Sequence, residues 1–365
     1  LKVRRAPPMM RRMSLRLSLA GAALTLPLAL LACSTDDDRP AQLGTSGGSP
    51  AAGGAAGSGS QGTGGDGPSG GASGVGGSST GGAQGEGFAW PLEGTLGKDW
   101  IVANYVDRDP SSETLDFHGG ARTYDGHAGV DIAIPNFRFM DRGIAVHAVE
   151  EGTVELVQDG YDDRNTGFDA ACQVPANRVH VRHPDGRLGQ YLHFRKDTIV
   201  VSEGEQIEVG DVLGEVGSSG CSDSPHVHFE LHDANDSVVD TFEDGLWASP
   251  PPYDVPLHLM DVVIKSSVLT LEEVWDPAPN ASQFSLGAPM GFAVTTGGAL
   301  PGDAVEVLFR PEGGAVAATL SHEYDGTESL YSWYWDVTLN GSIGAWSAEV
   351  RINDESVATY ELEAQ

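Results

Sequence analysis

The chain has 365 residues, of which 52 are acidic and 21 basic, giving a net charge of −31, with 40% hydrophobic residues and three cysteines. So acidic a polypeptide repels nucleic acid and anionic lipid headgroups, which excludes nucleic-acid binding and charge-driven membrane docking. The length allows two domains, but the composition of the first ninety residues cannot build one.

Residues 1–32 hold Lys2, Arg4, Arg5, Arg11, Arg12 and Arg16 and no acid, and run through LSLAGAALTLPLALLA to Cys33. Basic, then apolar, then small is the order of an export signal. The apolar stretch of about 16 residues contains Pro27 and falls short of the roughly 20 that span a bilayer. LLAC resembles a bacterial lipobox, although Leu31 is bulkier than the usual residue there, so Cys33 is expected to be acylated and to become the mature N-terminus. A start at Met9, Met10 or Met13 gives a more ordinary signal length. Removal of residues 1–32 leaves 15 basic residues against 52 acids, a net −37. The only membrane attachment expected is therefore lipid on Cys33.

Residues 33–87 read as a tether. Within 41–87 there are 20 glycines, and Asp66 and Glu86 are the only charges. Such a segment buries too little apolar surface to offset the entropy of ordering, and it is expected to be disordered, reaching about 40 Å on average. With Cys33 lipidated, Cys172 and Cys221 remain. In an oxidising compartment they form either a disulfide or two buried free thiols.

From Phe88 onward, short alternating runs (AVHAVEEGTVELVQ, RVHVRH, LGQYLHF, DVLGEVG, HVHFELH) are bounded by glycine-containing turn signals. Period-two alternation with little helical periodicity predicts an all-β, antiparallel domain over 88–250. Asp185-Gly186 marks a hairpin, and residues 160–176 read as an irregular insertion between strands. Pro250, Pro251 and Pro252 cannot continue a ladder, so a second domain of short strands, a β-sandwich, is expected over 256–365. In its SWYWDVTLNG run Trp333 and Trp335 share one face and Tyr334 takes the other. That face is either sandwich core or a carbohydrate-binding surface.

Candidate chemistry lies in four pieces. His226 and His228 in PHVHF share a strand face about 7 Å apart. His127 and Asp131 in GHAGVDIAIP are four apart, too distant on a regular strand to hold one ion unless a bend at Gly129 brings them together. With His228 they supply two nitrogens and one oxygen, the composition of a catalytic zinc site that keeps a position open. His193 in QYLHF supplies a base or electrostatic partner. Each piece alone also fits a turn or a half-buried strand residue; their conjunction points to metal-assisted hydrolysis.

The ordered series GHAGVDIAIP, GIAVHAVEEGTV, VHVRHPDGRLGQYLHF, VSEGEQIEVGDVLGEVGSSG and SPHVHFEL resembles the lysostaphin/LytM-type zinc metalloendopeptidases, family 23 of the metallopeptidases, over roughly residues 120–235. The resemblance implies a compact antiparallel β fold, one Zn²⁺ per chain and hydrolysis of peptide cross-links in bacterial peptidoglycan. It implies His127, Asp131 and His228 as metal ligands, and His193 and His226 as catalytic but not ligating, their two roles left joint. His180 and His183 read as structural, and His232, an even number of positions from His228, reads as structural or as a group behind the ligand. Asn104 and Asp107 are the residues that could approach the open coordination position. A bridge between Cys172 and Cys221 would pin the insertion beside the cleft.

Two rival readings belong to other classes: a catalytically inactive wall-binding or amidase-activator module, and a secreted protease of glycine-rich proteins. Ser34 after Cys33 suits an outer-membrane lipoprotein of a two-membrane bacterium, periplasmic or surface-facing. The direct cross-links of such walls favour a D-alanyl to diaminopimelate bond. Oligomeric state is left open.

Overall fold

The structure is a computed structural model that describes residues 2–5, 87–167 and 172–365. Cys33, residues 6–32 of the predicted export signal and residues 33–86 of the tether lie outside the described residues. Strands dominate, and the α-helices among the described residues are two short ones, α1 (Phe137–Met140) and α2 (Leu271–Trp275).

Strand β1 (Lys2–Arg5) belongs to the segment read as an export signal. The central element is an antiparallel sheet of seven strands: β2 (Ile101–Asn104), β3 (Gly129–Ala133), β5 (Gly152–Gln158), β6 (Arg178–Arg182), β7 (Leu188–Leu192), β8 (Gln206–Ile207) and β10 (His226–His232). Their order is β2-β3-β10-β7-β6-β5-β8. β4 (Ala145–His147) and β9 (Val212–Glu215) pair beside it. Val227, Phe229 and Leu231 of β10 enter a core with Val130, Ile132, Tyr191 and Val181. The alternate residues His226, His228, Glu230 and His232 share the opposite face, as the two-residue strand period requires. All seven residues of β10 are nonetheless buried. The polar face must therefore find its own partners.

Residues 183–187 close the hairpin between β6 and β7, with Gly186 in the left-handed region at φ +90°. Between β5 and β6 runs the insertion. Its Asn165 N–H donates to the carbonyl of Ser218 (3.1 Å), and Ser218 N–H donates to the carbonyl of Asp163 (3.0 Å). Cys172 and Cys221 are joined by a disulfide, with Cα atoms 5.7 Å apart.

Beyond the prolines two sheets face each other. One has the order β1-β16-β13-β11, with β11 (His258–Lys265), β13 (Pro289–Ala299) and β16 (Glu328–Thr338), and β1 lying along Trp333–Asp336. The other has the order β12-β18-β17-β14-β15, with β12 (Gln283–Phe284), β14 (Ala304–Pro311), β15 (Ala318–Glu323), β17 (Gly344–Ile352) and β18 (Glu355–Ala364). Phe292, Val294, Trp335, Val307, Phe309 and Trp346 form part of the apolar layer between them. Trp333, Tyr334 and Trp335 are 6%, 8% and 0% exposed, so this strand has no aromatic face open to carbohydrate. The two sheet systems meet through Ile101, Ala133, Val255, Met260 and Leu330. An ion pair between Arg138 and Asp261 lies nearby.

Candidate metal centre

Register places the chemistry. Asn104 of β2, Asp131 of β3, His228 of β10 and Leu192 of β7 stand in one row across four adjacent strands. His127 precedes β3 and reaches the row from a turn. A turn at Asp125-Gly126, where Gly126 has φ +77°, leads the chain into His127. Gly129 serves a different purpose: a Cβ there would lie 2.6 Å from both the His228 ring and the carbonyl of Phe229. The missing side chain is what lets the imidazole lie against the sheet. Gly129→Ala is expected to cost about 1–3 kcal/mol by overpacking and to lower metal content, measured by thermal unfolding and metal analysis of one preparation.

His127 Nε2, Asp131 Oδ1 and His228 Nδ1 form a triangle with sides of 3.2, 3.2 and 2.9 Å. Tetrahedral zinc with arms of 2.0–2.1 Å separates its ligands by about 3.3 Å. The tautomers agree. His127 Nδ1–H donates to the carbonyl of Tyr105 at 2.7 Å, which leaves Nε2 as a lone pair. His228 Nε2 faces Glu230 Oε2 at 3.2 Å, which leaves Nδ1 toward the triangle. Asn104 Nδ2–H holds the outer oxygen of Asp131 at 2.8 Å, turning Oδ1 inward. Three electron-rich atoms converge at hydrogen-bond spacing in a buried place, and only positive charge among them makes that stable. A proton on His228 or a metal cation satisfies the requirement, and the donor set fits zinc.

The ionisation pattern has the same origin. Burial would raise Asp131, but the neighbouring imidazoles of His127, His226 and His228 hold it well below the usual carboxylate range. Burial would lower His228, yet bonds to Asp131 and Glu230 raise it to about 10, so metal binding there displaces a proton. Burial, then the neighbouring charges of His226 and His228, push His193 well below its ordinary value. Burial also lowers His226, against the pull of Asp131.

His193 and His226 flank the triangle, their rings 4.5 Å apart. His193 Nδ1–H donates to the carbonyl of Ser219 (2.6 Å) and His226 Nδ1–H to that of Ser224 (2.8 Å), so the Nε2 atom of each is a bare acceptor. His226 Nε2 lies 3.5 Å from Asp131 Oδ1. His193 has φ +71°, a left-handed conformation that costs a non-glycine residue free energy and tends to occur at functional positions. Asp107 is not at the triangle: its carboxylate accepts backbone N–H groups of Asp109, Leu115 and Gly126 and orders that loop. His180 lies on β6, and His183 bonds the carbonyl of Glu151. Sequence reasoning passed over Glu230, although its position two residues after His228 puts it on the same strand face. Asp223, three residues before His226, was also passed over; burial pushes its carboxyl up to about 7.

Residues 125–241 match the model of peptidase family M23. This stretch is an M23 peptidase domain. Over 128 residues the chain is 28% identical to lysostaphin of Staphylococcus simulans, covering 35% of this chain and 21% of that protein. Over 105 residues it is 28% identical to the peptidoglycan DD-endopeptidase ShyC of Vibrio cholerae, covering 29% of this chain and 20% of that protein. Over 62 residues it is 36% identical to lipoprotein NlpD of Yersinia enterocolitica, covering 17% of this chain and 61% of that protein. The chain thus spans about a fifth of the length of lysostaphin and of ShyC. All five residues singled out in the sequence, His127, Asp131, His193, His226 and His228, lie within the M23 match and around one point.

Proposed function

We propose that this protein is a zinc-dependent endopeptidase that hydrolyses peptide cross-links of bacterial peptidoglycan. The observation that carries the reading is the convergence of His127 Nε2, Asp131 Oδ1 and His228 Nδ1, flanked by two histidines whose Nε2 atoms are bare. His127, Asp131 and His228 would hold the ion. When bound, zinc supplies Lewis acidity that polarises a carbonyl and makes hydroxide available near neutral pH. The flanking pair does the proton work. With Nδ1 committed to a backbone carbonyl, each Nε2 of His193 and His226 can take a proton from water or, once protonated, donate to the oxyanion or the leaving amine. The likeness to a peptidoglycan DD-endopeptidase supports a wall peptide as substrate.

The cellular setting belongs to the same proposal: export, a lipid on Cys33, and residues 33–87 as a tether that lets the peptidase domain of residues 88–250 reach the wall. The basic-then-apolar order before Cys33 supports it, as does the likeness to a protein named as a lipoprotein. Among the described residues no helix is long and apolar enough to cross a membrane.

Digestion of purified sacculi tests the reading. The protein is expected to convert cross-linked muropeptide dimers to monomers, to stop when chelated, and to recover with about one equivalent of zinc per chain. Metal bound with no release from any wall type would leave a binding or activator module.

A further inference from the structure

Behind His228, away from the triangle, the polar face of β10 continues as a chain of paired side chains. His228 Nε2–H donates to Glu230 Oε2 at 3.2 Å, the other oxygen of Glu230 accepts from His232 Nε2–H, and His232 Nδ1–H donates to Asp236 Oδ1 at 2.9 Å. Glu230 and His232 are each 7% exposed, whereas the Asp236 side chain is 83% exposed. Both ring nitrogens of His232 face carboxylate oxygens, and an imidazole satisfies two acceptors only when both nitrogens carry hydrogen. The ring is therefore a cation wedged between two carboxylates.

Glu230 alone would be a poor anchor. A buried carboxylate whose sole partner is a neutral imidazole pays the full cost of desolvation, and it relieves that cost by turning toward water. That rotation withdraws the acceptor that keeps hydrogen on Nε2 of His228 and the lone pair on Nδ1. The cation at 232 removes this escape by holding the second oxygen of Glu230 in place. Asp236 holds the ring in place from the surface.

We propose that His232 is a positioning residue for metal binding: through Glu230 it fixes the tautomer and orientation in which His228 presents Nδ1 to the ion. The proposal rests on the metal-centre reading above. Partners behind a metal-ligating histidine typically change metal affinity ten- to a hundred-fold when removed.

The test is zinc affinity of the full-length protein, measured by competition with a chromogenic chelator, alongside the visible absorption of the cobalt-loaded form and the thermal midpoint without metal. His232→Phe keeps the ring shape and removes both donors, and it is expected to bind zinc ten- to a hundred-fold more weakly with an altered cobalt spectrum. His232→Arg restores a cationic donor to Glu230 and is expected to recover affinity to within a few-fold. Asp236→Asn keeps the left-handed backbone at φ +68° that this position needs, so it stays folded even if the core variant does not. It is expected to weaken zinc binding several-fold in the parent protein and not at all in the His232→Phe background. Unchanged zinc affinity in His232→Phe, or a lowered thermal midpoint with affinity intact, overturns the proposal and leaves His232 a stability element. If His232→Phe is unfolded, unchanged affinity in Asp236→Asn overturns it instead. Failure of the parent protein itself to bind zinc sinks the metal-centre reading and is a separate result.

Discussion

Replacing His226 by alanine, or His193 by asparagine, is expected to leave zinc content unchanged and to reduce release of wall peptides by about 10²–10⁴-fold, the usual worth of a positioned proton-transfer group. Asparagine is the better probe at 193 because it tolerates the left-handed backbone at φ +71°, where alanine would add strain of its own. The prediction separates two roles that geometry brings close together. His226 Nε2 stands 3.5 Å from Asp131 Oδ1, within the span of a shared ion, yet its ring hangs from the carbonyl of Ser224 beside the triangle of 2.9–3.2 Å sides. Loss of zinc in His226→Ala would make His226 a ligand and would leave His193 as the sole proton-transfer group. Zinc retained with hydrolysis lost fits the division proposed above. Because both histidines are pushed down by burial, each is neutral at pH 7 and ready to accept a proton before it donates one.

What was legible in the sequence follows from periodicity. HVHFELH announces a strand with one polar and one apolar face, and β10 keeps that division with Phe229 and Leu231 in the core. The group His127, Asp131 and His228 was legible as residue types, but not the backbone path that assembles it. A glycine between His127 and Asp131 suggested itself as the hinge, and Gly129 also makes room for a ring from another strand. Close approach between strands distant in sequence leaves no local signature, because either use of glycine reads the same. Asn104 was noticed as a residue able to approach the metal. Its place opposite Asp131 depends on a register shift between Val102 and Asn104 in β2, which only strand pairing reveals. The tryptophans of SWYWDVTLNG had two readings because alternation says which residues share a face and not which face is covered. The covering comes from the opposed sheet, through Trp346, Phe309 and their neighbours, and from Val263, Leu269 and Val274 on the Tyr334 side.

Removing the disulfide with the double substitution Cys172→Ser and Cys221→Ser is expected to lower unfolding free energy by about 4 kcal/mol, because the bridge closes a loop of 49 residues and restricts the unfolded chain. Denaturant titration of the double variant, and of the parent with and without reductant, measures it. Catalysis should respond far less. The loop that Cys221 anchors also carries Ser219, whose carbonyl fixes His193, but that loop has other restraints. Asn165 Nδ2–H bonds the carbonyl of Gly220 (2.8 Å), Ser218 Oγ–H bonds the carbonyl of Asn165 (2.7 Å), and Asn177 N–H bonds Ser219 Oγ (3.0 Å). These contacts survive loss of the bridge, so activity per folded molecule is expected to stay within several-fold of the parent at temperatures where both are native. A folded double variant that binds zinc and releases nothing would instead show that the bridge itself holds His193 in place, and the insertion would then be part of the catalytic framework.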